Sequence, residues 1–457
     1  MQIDEMTTTW ARRVSRGHLI VSGLALLLIG PTNHHPWVSV GCIATGLFLV
    51  ALGMFSTTLP RTTGTEVAVA GAWGLLMVLG ILGRSIGVFP PSLTGTRLVT
   101  TLLAAAASSM ALMLSGLGRM RLAVGALALM TALIATGTMV SNDWQNGLGS
   151  DIYHAHRSAG AAIHQGENPY GSAVRFLDGN PFTIEERVFE GYPYPPVALA
   201  AFGISSIFTD PRMVSTVAWL LFLGWLGWRA GRRRTEMSGD LALSILLLAA
   251  ISPLGTQVWF MAWTEPLTLV LFLGALLVWR RPWLAGILLG LALGSKQYLV
   301  FLAPLLLLHR DAGWVKRSSV AMVTVAATVI APLAIDPSGF VRSVIGNTAS
   351  IGFRPDTLSL SGPAATLGLE FVLPALVWVP LGLTVGYLLA RGSRRKGDFA
   401  SRAGMTLASV FLIGMAFPNY WFLGFGLIAI GAILAGEEIE TVGSADPELA
   451  SALVSRA

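Results

Sequence analysis

One stretch of the sequence, residues 149–196, gathers carboxylates, histidines, tyrosines and prolines within a chain that is otherwise largely apolar. Asp151 is the leading candidate for chemistry there. An aspartate that opens a helix can cap free backbone N–H groups, or it can act as a general base. Asp143, beside Asn142, is the nearby alternative, and its position is equally typical of a solvated loop residue. The residues by themselves leave this choice open.

The same stretch predicts a helix over residues 151–165, because apolar residues at positions 152, 155, 159 and 163 share one helical face. Such a face is suited to lie on a membrane or to pack on other helices. Gly166 ends the predicted helix, and Pro169 forces Asn168 into an extended conformation. Residues 192–196, Tyr-Pro-Tyr-Pro-Pro, predict a rigid extended segment that leads into a helix with proline in its first turn.

Three further candidates lie far along the chain. Lys296 is one of three lysines and lies inside an apolar segment, where a cation is costly and marks a candidate functional site. It is a candidate ligand for an anion, assisted by Gln297 and Tyr298; the alternative is a side chain that extends to the lipid head groups. Glu265 precedes a proline, a pattern of helix starts, and is either a helix-start carboxylate or a ligand for a polar substrate. Arg354 is a second candidate for phosphate, or a solvated loop arginine.

Two histidines, His154 and His156, lie on the same predicted helix as Asp151 and are candidates for binding a sugar or a phosphate. No spacing of histidines and carboxylates is typical of a metal site, so we expect no required metal. The single cysteine, Cys42, excludes a disulfide framework within the chain.

The composition indicates a polytopic membrane protein. Of the 457 residues, 54% are hydrophobic and 12% are charged, about half the charged fraction of a soluble protein. The basic residues lie in short clusters between apolar spans, which is the positive-inside pattern and not a nucleic-acid-binding surface. We therefore expect membrane lipids, and no nucleic acid, as partners.

The basic clusters also predict the topology. Spans are predicted near 18–31, 36–55, 66–83, 98–117, 121–140, 213–230, 240–256, 265–279, 318–334, 369–390, 402–417 and 419–435. With the clusters inside, the loop 141–212 faces away from the cytoplasm, and residues 197–208 lie along the outer face. Residues 283–308 are predicted to form two short helices with Lys296 at their outer junction. The tail, 436–457, is predicted to be cytoplasmic and disordered.

Three short motifs in the outer loop resemble one family when taken together. Gly-Ser-Asp-x-Tyr at 149–153, Gly-x-Asn-Pro-Tyr at 166–170 and Tyr-Pro-Pro at 194–196 are similar to motifs of the GT-C membrane glycosyltransferases, most of all glycosyltransferase family 87. The Gly-rich segment 284–296, followed by Pro304, looks like a later helix of that family. The resemblance covers roughly residues 121–435.

The resemblance implies an all-α polytopic membrane protein with a GT-C-type fold. We expect about 12–14 transmembrane or re-entrant helices, with juxtamembrane helices on the outer face. Residues 1–117 would form an N-terminal four-helix transmembrane segment, and residues 118–435 a catalytic module that carries the outer loop 141–212. Residues 436–457 would be the tail.

The resemblance also implies a mannosyl- or arabinofuranosyltransferase of the plasma membrane, active on its extracytoplasmic face. The donor would be a polyprenyl-phosphate sugar and the acceptor a glycolipid or a cell-envelope polysaccharide, with no cofactor besides the donor. Asp151 matches the family's base, and Lys296 and Arg354 would bind the donor phosphate. The expected substrate contacts are Tyr153, His154, Asn168, Tyr170, Tyr192, Tyr194, Glu265 and Gln297. The alternative, a transporter or flippase of polyprenyl-linked intermediates, would be expected to hold its polar residues near the bilayer midplane.

Overall fold

The computed structural model describes residues 15–29, 36–55, 69–70, 72–73, 151–177, 188–232, 237–252, 254–255, 258, 261–347, 357–369, 382, 395–413 and 418–445. The predicted spans near 98–117 and 121–140 lie outside these residues, as do nearly all of those at 66–83 and 369–390. Asp143 and Arg354 also lie outside them.

The described residues are mainly helical. The helices are α1 (Arg16–Ile29), α2 (Pro36–Phe55), α3 (Asp151–His164), α4 (Pro196–Phe208, with a π-turn at Leu199–Gly203), α5 (Arg212–Arg232), α6 (Met237–Ile251), α7 (Glu265–Leu277), α8 (Pro282–Leu293), α9 (Ala303–Leu308), α10 (Trp314–Ile335), α11 (Pro337–Val341, continued by a π-turn at Arg342–Gly346), α12 (Ser361–Thr366), α13 (Lys396–Ile413) and α14 (Pro418–Ala445). A 3-10 helix, Gln297–Leu302, precedes α9.

Three of the described helices are long and apolar enough to cross a membrane: Arg212–Gly231, Trp314–Ile335 and Pro418–Glu437. Shorter apolar helices, such as Glu265–Leu277 and Pro282–Leu293, accompany them. These helices agree with the expectation of a helical membrane protein. The expected number of crossings and the GT-C arrangement remain predictions.

The helix and the turn that the sequence predicts after residue 150 are both present. Helix α3 begins at Asp151, and Gly166, with φ of +75°, reverses the chain after it. A strand pair that was not predicted follows: β1 (Arg175–Leu177) and β2 (Val188–Glu190) are antiparallel, so the fold is not purely helical.

The break at Lys296 is also confirmed. Helix α8 ends at Leu293, and the chain turns through Lys296 before the 3-10 helix begins. The backbone N–H of Val197, at the start of α4, donates to the carbonyl of Gly294 at 3.2 Å. The start of α4 and the turn after α8 are therefore hydrogen-bonded directly to each other.

The ends of the helices carry different polar groups. Glu265 and Asn419, at the starts of α7 and α14, meet at one end, which we call the Glu265 end. At the far end of α14, Glu437 forms an ion pair with Arg229 of α5. Helix α14 continues to Ala445, so the prediction of a disordered tail from residue 436 is wrong for 436–445. Glutamates are good helix formers, and this ion pair gives Glu437 a partner.

The contact between α3 and α4 requires glycine at position 160. A Cβ on Gly160 would lie 2.7 Å from the carbonyl oxygen of Gly203 and would collide with Ser206.

We expect Gly160→Ala to lower the free energy of unfolding by about 1–3 kcal/mol, because it overfills this contact. Thermal unfolding in detergent measures the effect. Gly224→Ala is the control, since Gly224 is exposed on α5 with no described atom within 4 Å of such a Cβ. Equal losses for the two variants would contradict the close contact.

Candidate functional site

Four side chains meet at the Glu265 end from distant parts of the chain. Asp151 comes from the start of α3, Tyr194 from the extended segment before α4, Glu265 from the start of α7, and Lys296 from the break after α8. Lys296 bonds to Glu265 at 2.9 Å and lies 4.1 Å from the ring centre of Tyr194, and the charge of Asp151 acts on both Tyr194 and Lys296. We call these four side chains the acidic-lysine site.

Glu265 is the buried centre of this site, with no exposed surface. One oxygen, Oε1, accepts from three donors: Lys296 Nζ at 2.9 Å, the Tyr298 hydroxyl at 3.0 Å and Asn419 Nδ2 at 2.8 Å. Its Oε2 accepts a longer bond of 3.4 Å from the Thr264 hydroxyl. A buried carboxylate without such partners would cost a large free energy. Glu265 is therefore held as a counter-ion and is poorly placed to take a proton from a substrate.

Lys296 is 1% exposed, which excludes the alternative of an ammonium that extends to the head groups. Besides Glu265, its Nζ lies 4.1 Å from the ring centre of Tyr194. The rings of Tyr298 and Tyr420 are each at 5.8 Å. A cation desolvated among aromatic faces is stabilised by their negative charge density. The site thus holds the Lys296 ammonium between the Glu265 carboxylate and the ring of Tyr194.

Asp151 is half-buried, unlike Glu265. Its Oδ1 accepts from the backbone N–H of Ile152 at 2.8 Å, so it satisfies one free amide in the first turn of α3, which is a structural role. It also belongs to the site. Burial, followed by the negative charges of Asp151 and Glu265, raises the pKa of Tyr194 well above its usual value. Tyr194 consequently keeps its proton and can donate it in a hydrogen bond.

The other tyrosines of the loop act within the protein. The Tyr192 hydroxyl bonds to His156 Nδ1 at 2.8 Å, and the Tyr170 hydroxyl donates to the carbonyl of Tyr194 at 3.2 Å. Burial raises the pKa of Tyr170 and Tyr192, so both hydroxyls stay protonated. These bonds fix the path of the chain up to Tyr194, and substrate contacts for the two residues remain predictions.

Four more predicted substrate ligands lie around the site. Asn168 donates to Asp336 Oδ2 at 3.1 Å, and Gln297 donates to the carbonyl of Pro193 at 3.5 Å. Both bonds therefore hold the segment between α3 and α4 against other parts of the chain. Tyr153 lies against the guanidinium of Arg212, 4.6 Å from its ring centre, and His154 is exposed beside Tyr153. Of these four, His154 is the most accessible.

Residues 192–418, about half of the chain, match the model of glycosyltransferase family 87. The chain belongs to glycosyltransferase family 87. The match includes Tyr194, Glu265 and Lys296, whereas Asp151 precedes it. No curated protein and no solved structure matches the chain.

Family membership makes this protein a glycosyltransferase, which acts on a sugar donor and an acceptor. Within the described residues, no three His, Cys, Asp or Glu side chains form a group that could hold a metal ion. The acidic-lysine site itself offers one half-exposed carboxylate, Asp151, and a buried ammonium, Lys296, held by Glu265.

Asn419 is a site residue that the sequence interpretation missed. It lies one residue after the start of α14, and a lone asparagine at a helix start usually indicates a cap. Instead its amide reaches Glu265, 154 residues earlier. Its position is the signal that could have revealed it. Asn419 lies at the start of a predicted apolar span, and the predicted topology places that start close to Glu265.

We expect Asn419→Ala to lower the free energy of unfolding by about 1.5–3 kcal/mol, because it removes a hydrogen bond to a buried charge. Thermal unfolding of the purified glycosyltransferase measures this loss. Ser409→Ala, which removes a hydroxyl that bonds only within its own helix, is the control and should cost much less. An Asn419→Ala protein as stable as wild type would contradict the network around Glu265.

Proposed function

We propose that this glycosyltransferase moves mannose or arabinofuranose from a polyprenyl-phosphate donor to a glycolipid or cell-envelope polysaccharide, with inversion at the anomeric carbon. The reaction takes place on the outer face of the plasma membrane. The observation that carries the proposal is the half-exposed Asp151 beside the buried Lys296–Glu265 pair, at one end of apolar helices.

In the proposed reaction Asp151 takes the proton of the acceptor hydroxyl as that oxygen forms its bond to the anomeric carbon of the sugar. The bond from this carbon to the phosphate oxygen breaks on the opposite face, and the electron pair leaves with the lipid phosphate. Lys296, supported by Arg354, stabilises the negative charge of the leaving phosphate. A phosphate leaves without being protonated, so one carboxylate is sufficient, whereas glycoside hydrolysis requires two.

The role of Glu265 follows from its bonds. One of the three donors on its Oε1 is the Lys296 ammonium, and this bond holds Nζ in place against the ring of Tyr194. A fixed ammonium costs no reorganisation when the phosphate charge develops. Glu265 is therefore proposed as a positioning residue for the cation and not as a second base.

Sidedness tests the proposed location. Single cysteines at Ser172, exposed in the polar loop, and at Arg310, exposed after α9, are introduced after Cys42 is replaced by serine. We expect an impermeant maleimide to label Ser172→Cys from outside intact cells, and Arg310→Cys only after lysis. Labelling in the opposite order would overturn both the orientation and the extracytoplasmic site.

The runner-up function, a transporter or flippase of polyprenyl-linked intermediates, is favoured by one observation, the ion pair buried between apolar segments. Proteoliposomes that contain a labelled polyprenyl-phosphate sugar distinguish the two. A glycosyltransferase releases unglycosylated lipid phosphate when acceptor is added. A flippase moves the intact labelled lipid between leaflets without acceptor, and that result would replace the proposal.

A further inference from the structure

His156 is fully buried and makes two hydrogen bonds to other parts of the chain. Its Nε2 lies 3.1 Å from the carbonyl oxygen of Ala262, and its Nδ1 lies 2.8 Å from the Tyr192 hydroxyl. Its ring stacks on Phe202 with centres 4.5 Å apart. One imidazole thus joins α3, the segment before α4 and the turn before α7.

The two bonds determine which ring nitrogen carries the proton. A carbonyl oxygen can only accept, so Nε2 must donate to Ala262, and Nδ1 then accepts from the Tyr192 hydroxyl. Burial lowers the pKa of His156 to about 3, against the opposing effect of its bond to Ala262, so the ring is neutral at physiological pH. Both nitrogens of the neutral ring are satisfied.

The acceptor of this bond lies in a strained turn. Ala262 has φ of +52° and is the one described residue other than glycine with a positive φ. An L-residue adopts this conformation at a cost, and it persists only where its surroundings hold it. The turn leads through Thr264 into Glu265, so the backbone conformation at Ala262 helps to determine where the Glu265 carboxylate lies.

We propose that His156 is a positioning residue that holds the strained Ala262 turn against the Asp151 helix, and so fixes Glu265 and Lys296 relative to Asp151. The proposal rests on the proposed function for its effect on sugar transfer. Its structural part, the coupling between His156 and Ala262, does not require that function.

Two substitutions separate the two bonds of the imidazole. The shorter amide of His156→Asn can reproduce the acceptor at Nδ1, while His156→Gln can place an N–H near Nε2. We expect His156→Asn to lower kcat about 10- to 100-fold with little change in the KM for donor, because a displacement of about 1 Å at a reacting group has effects of this size. His156→Gln should retain more activity than His156→Asn.

Ala262→Gly provides the decisive second mutation, because glycine adopts a positive φ without strain. If His156 acts by holding this turn, His156→Asn should lower both kcat and Tm by a smaller amount in the Ala262→Gly background than in wild type. Ala161→Gly, on the exposed face of α3, is the matched control, and its effects should add to those of His156→Asn.

Additive effects of His156→Asn and Ala262→Gly on Tm would overturn the proposal and leave His156 as an ordinary packed side chain. The comparison of Tm values needs no substrate, so it tests the coupling between His156 and Ala262 even if no sugar transfer is observed. The positioning role would be overturned if the two mutations had non-additive effects on Tm while His156→Asn left the kcat of an active enzyme unchanged. Should His156→Asn fail to fold, His156→Leu and Ala262→Gly give the same cycle, because leucine also lacks the N–H that bonds to the Ala262 carbonyl.

Discussion

Asp151→Asn is expected to lower the rate of sugar transfer by about 10²- to 10⁴-fold, the usual contribution of a general base. Asparagine caps a helix as well as aspartate does, and its Oδ1 can still accept from the Ile152 N–H. The fold should therefore persist, with unchanged Tm and an unchanged Kd for donor. Single-turnover transfer with saturating donor measures the chemical step separately from binding.

Two further variants make this result specific. Asp240→Asn changes another carboxylate in the first turn of a helix, α6, and should leave transfer nearly unchanged. Asp143→Asn tests the other candidate for the base. A large loss with Asp143→Asn and a small one with Asp151→Asn would move the base to Asp143 and contradict the site geometry proposed above.

Lys296→Met should both destabilise and inactivate the enzyme. Removing one partner of a buried ion pair leaves Glu265 uncompensated, which costs about 3–5 kcal/mol. A loss of activity in this variant alone would therefore be ambiguous, since an unstable protein is also inactive. Thermal unfolding and transfer must be measured on the same preparations.

The double variant Lys296→Met with Glu265→Gln resolves this ambiguity. The glutamine oxygen can still accept from Tyr298 and Asn419, and no buried charge remains unpaired. We expect this protein to recover most of the lost stability while transfer remains at least about 100-fold below wild type, because the donor phosphate lacks its cation. Lys316→Met, at an exposed lysine beside Trp283, is the control. Recovery of transfer in the double variant would show that Lys296 serves the fold alone.

Local signals account for the parts of the fold that were predicted correctly. The helix starts at Asp151, Pro196 and Glu265 each carry a carboxylate or proline that favours a helix N-terminus. The break at Lys296 follows from Gly294 and Ser295 within an apolar run. Each of these depends on a few neighbouring residues, which is why the sequence alone was sufficient.

The parts that were missed depend on partners distant in sequence. Asn419 bonds to Glu265 across 154 residues, and His156 bonds to Ala262 across 106. A lone asparagine or alanine carries no local mark of such a pairing. The three hydrogen bonds to one oxygen of Glu265 were not predicted for the same reason, because the donors, Lys296, Tyr298 and Asn419, all lie far from it in the sequence.

The most direct test is sugar transfer by the purified full-length protein in liposomes. Polyprenyl-phosphate mannose or polyprenyl-phosphate arabinofuranose is supplied as donor, nucleotide forms of the same sugars are the comparison, and wild type and Asp151→Asn are run side by side. We predict transfer from one lipid-phosphate donor with inverted anomeric configuration, none from the nucleotide sugars, and a loss of about 10²-fold or more in Asp151→Asn. Transfer from a nucleotide sugar alone, or an Asp151→Asn enzyme as fast as wild type, would contradict the account.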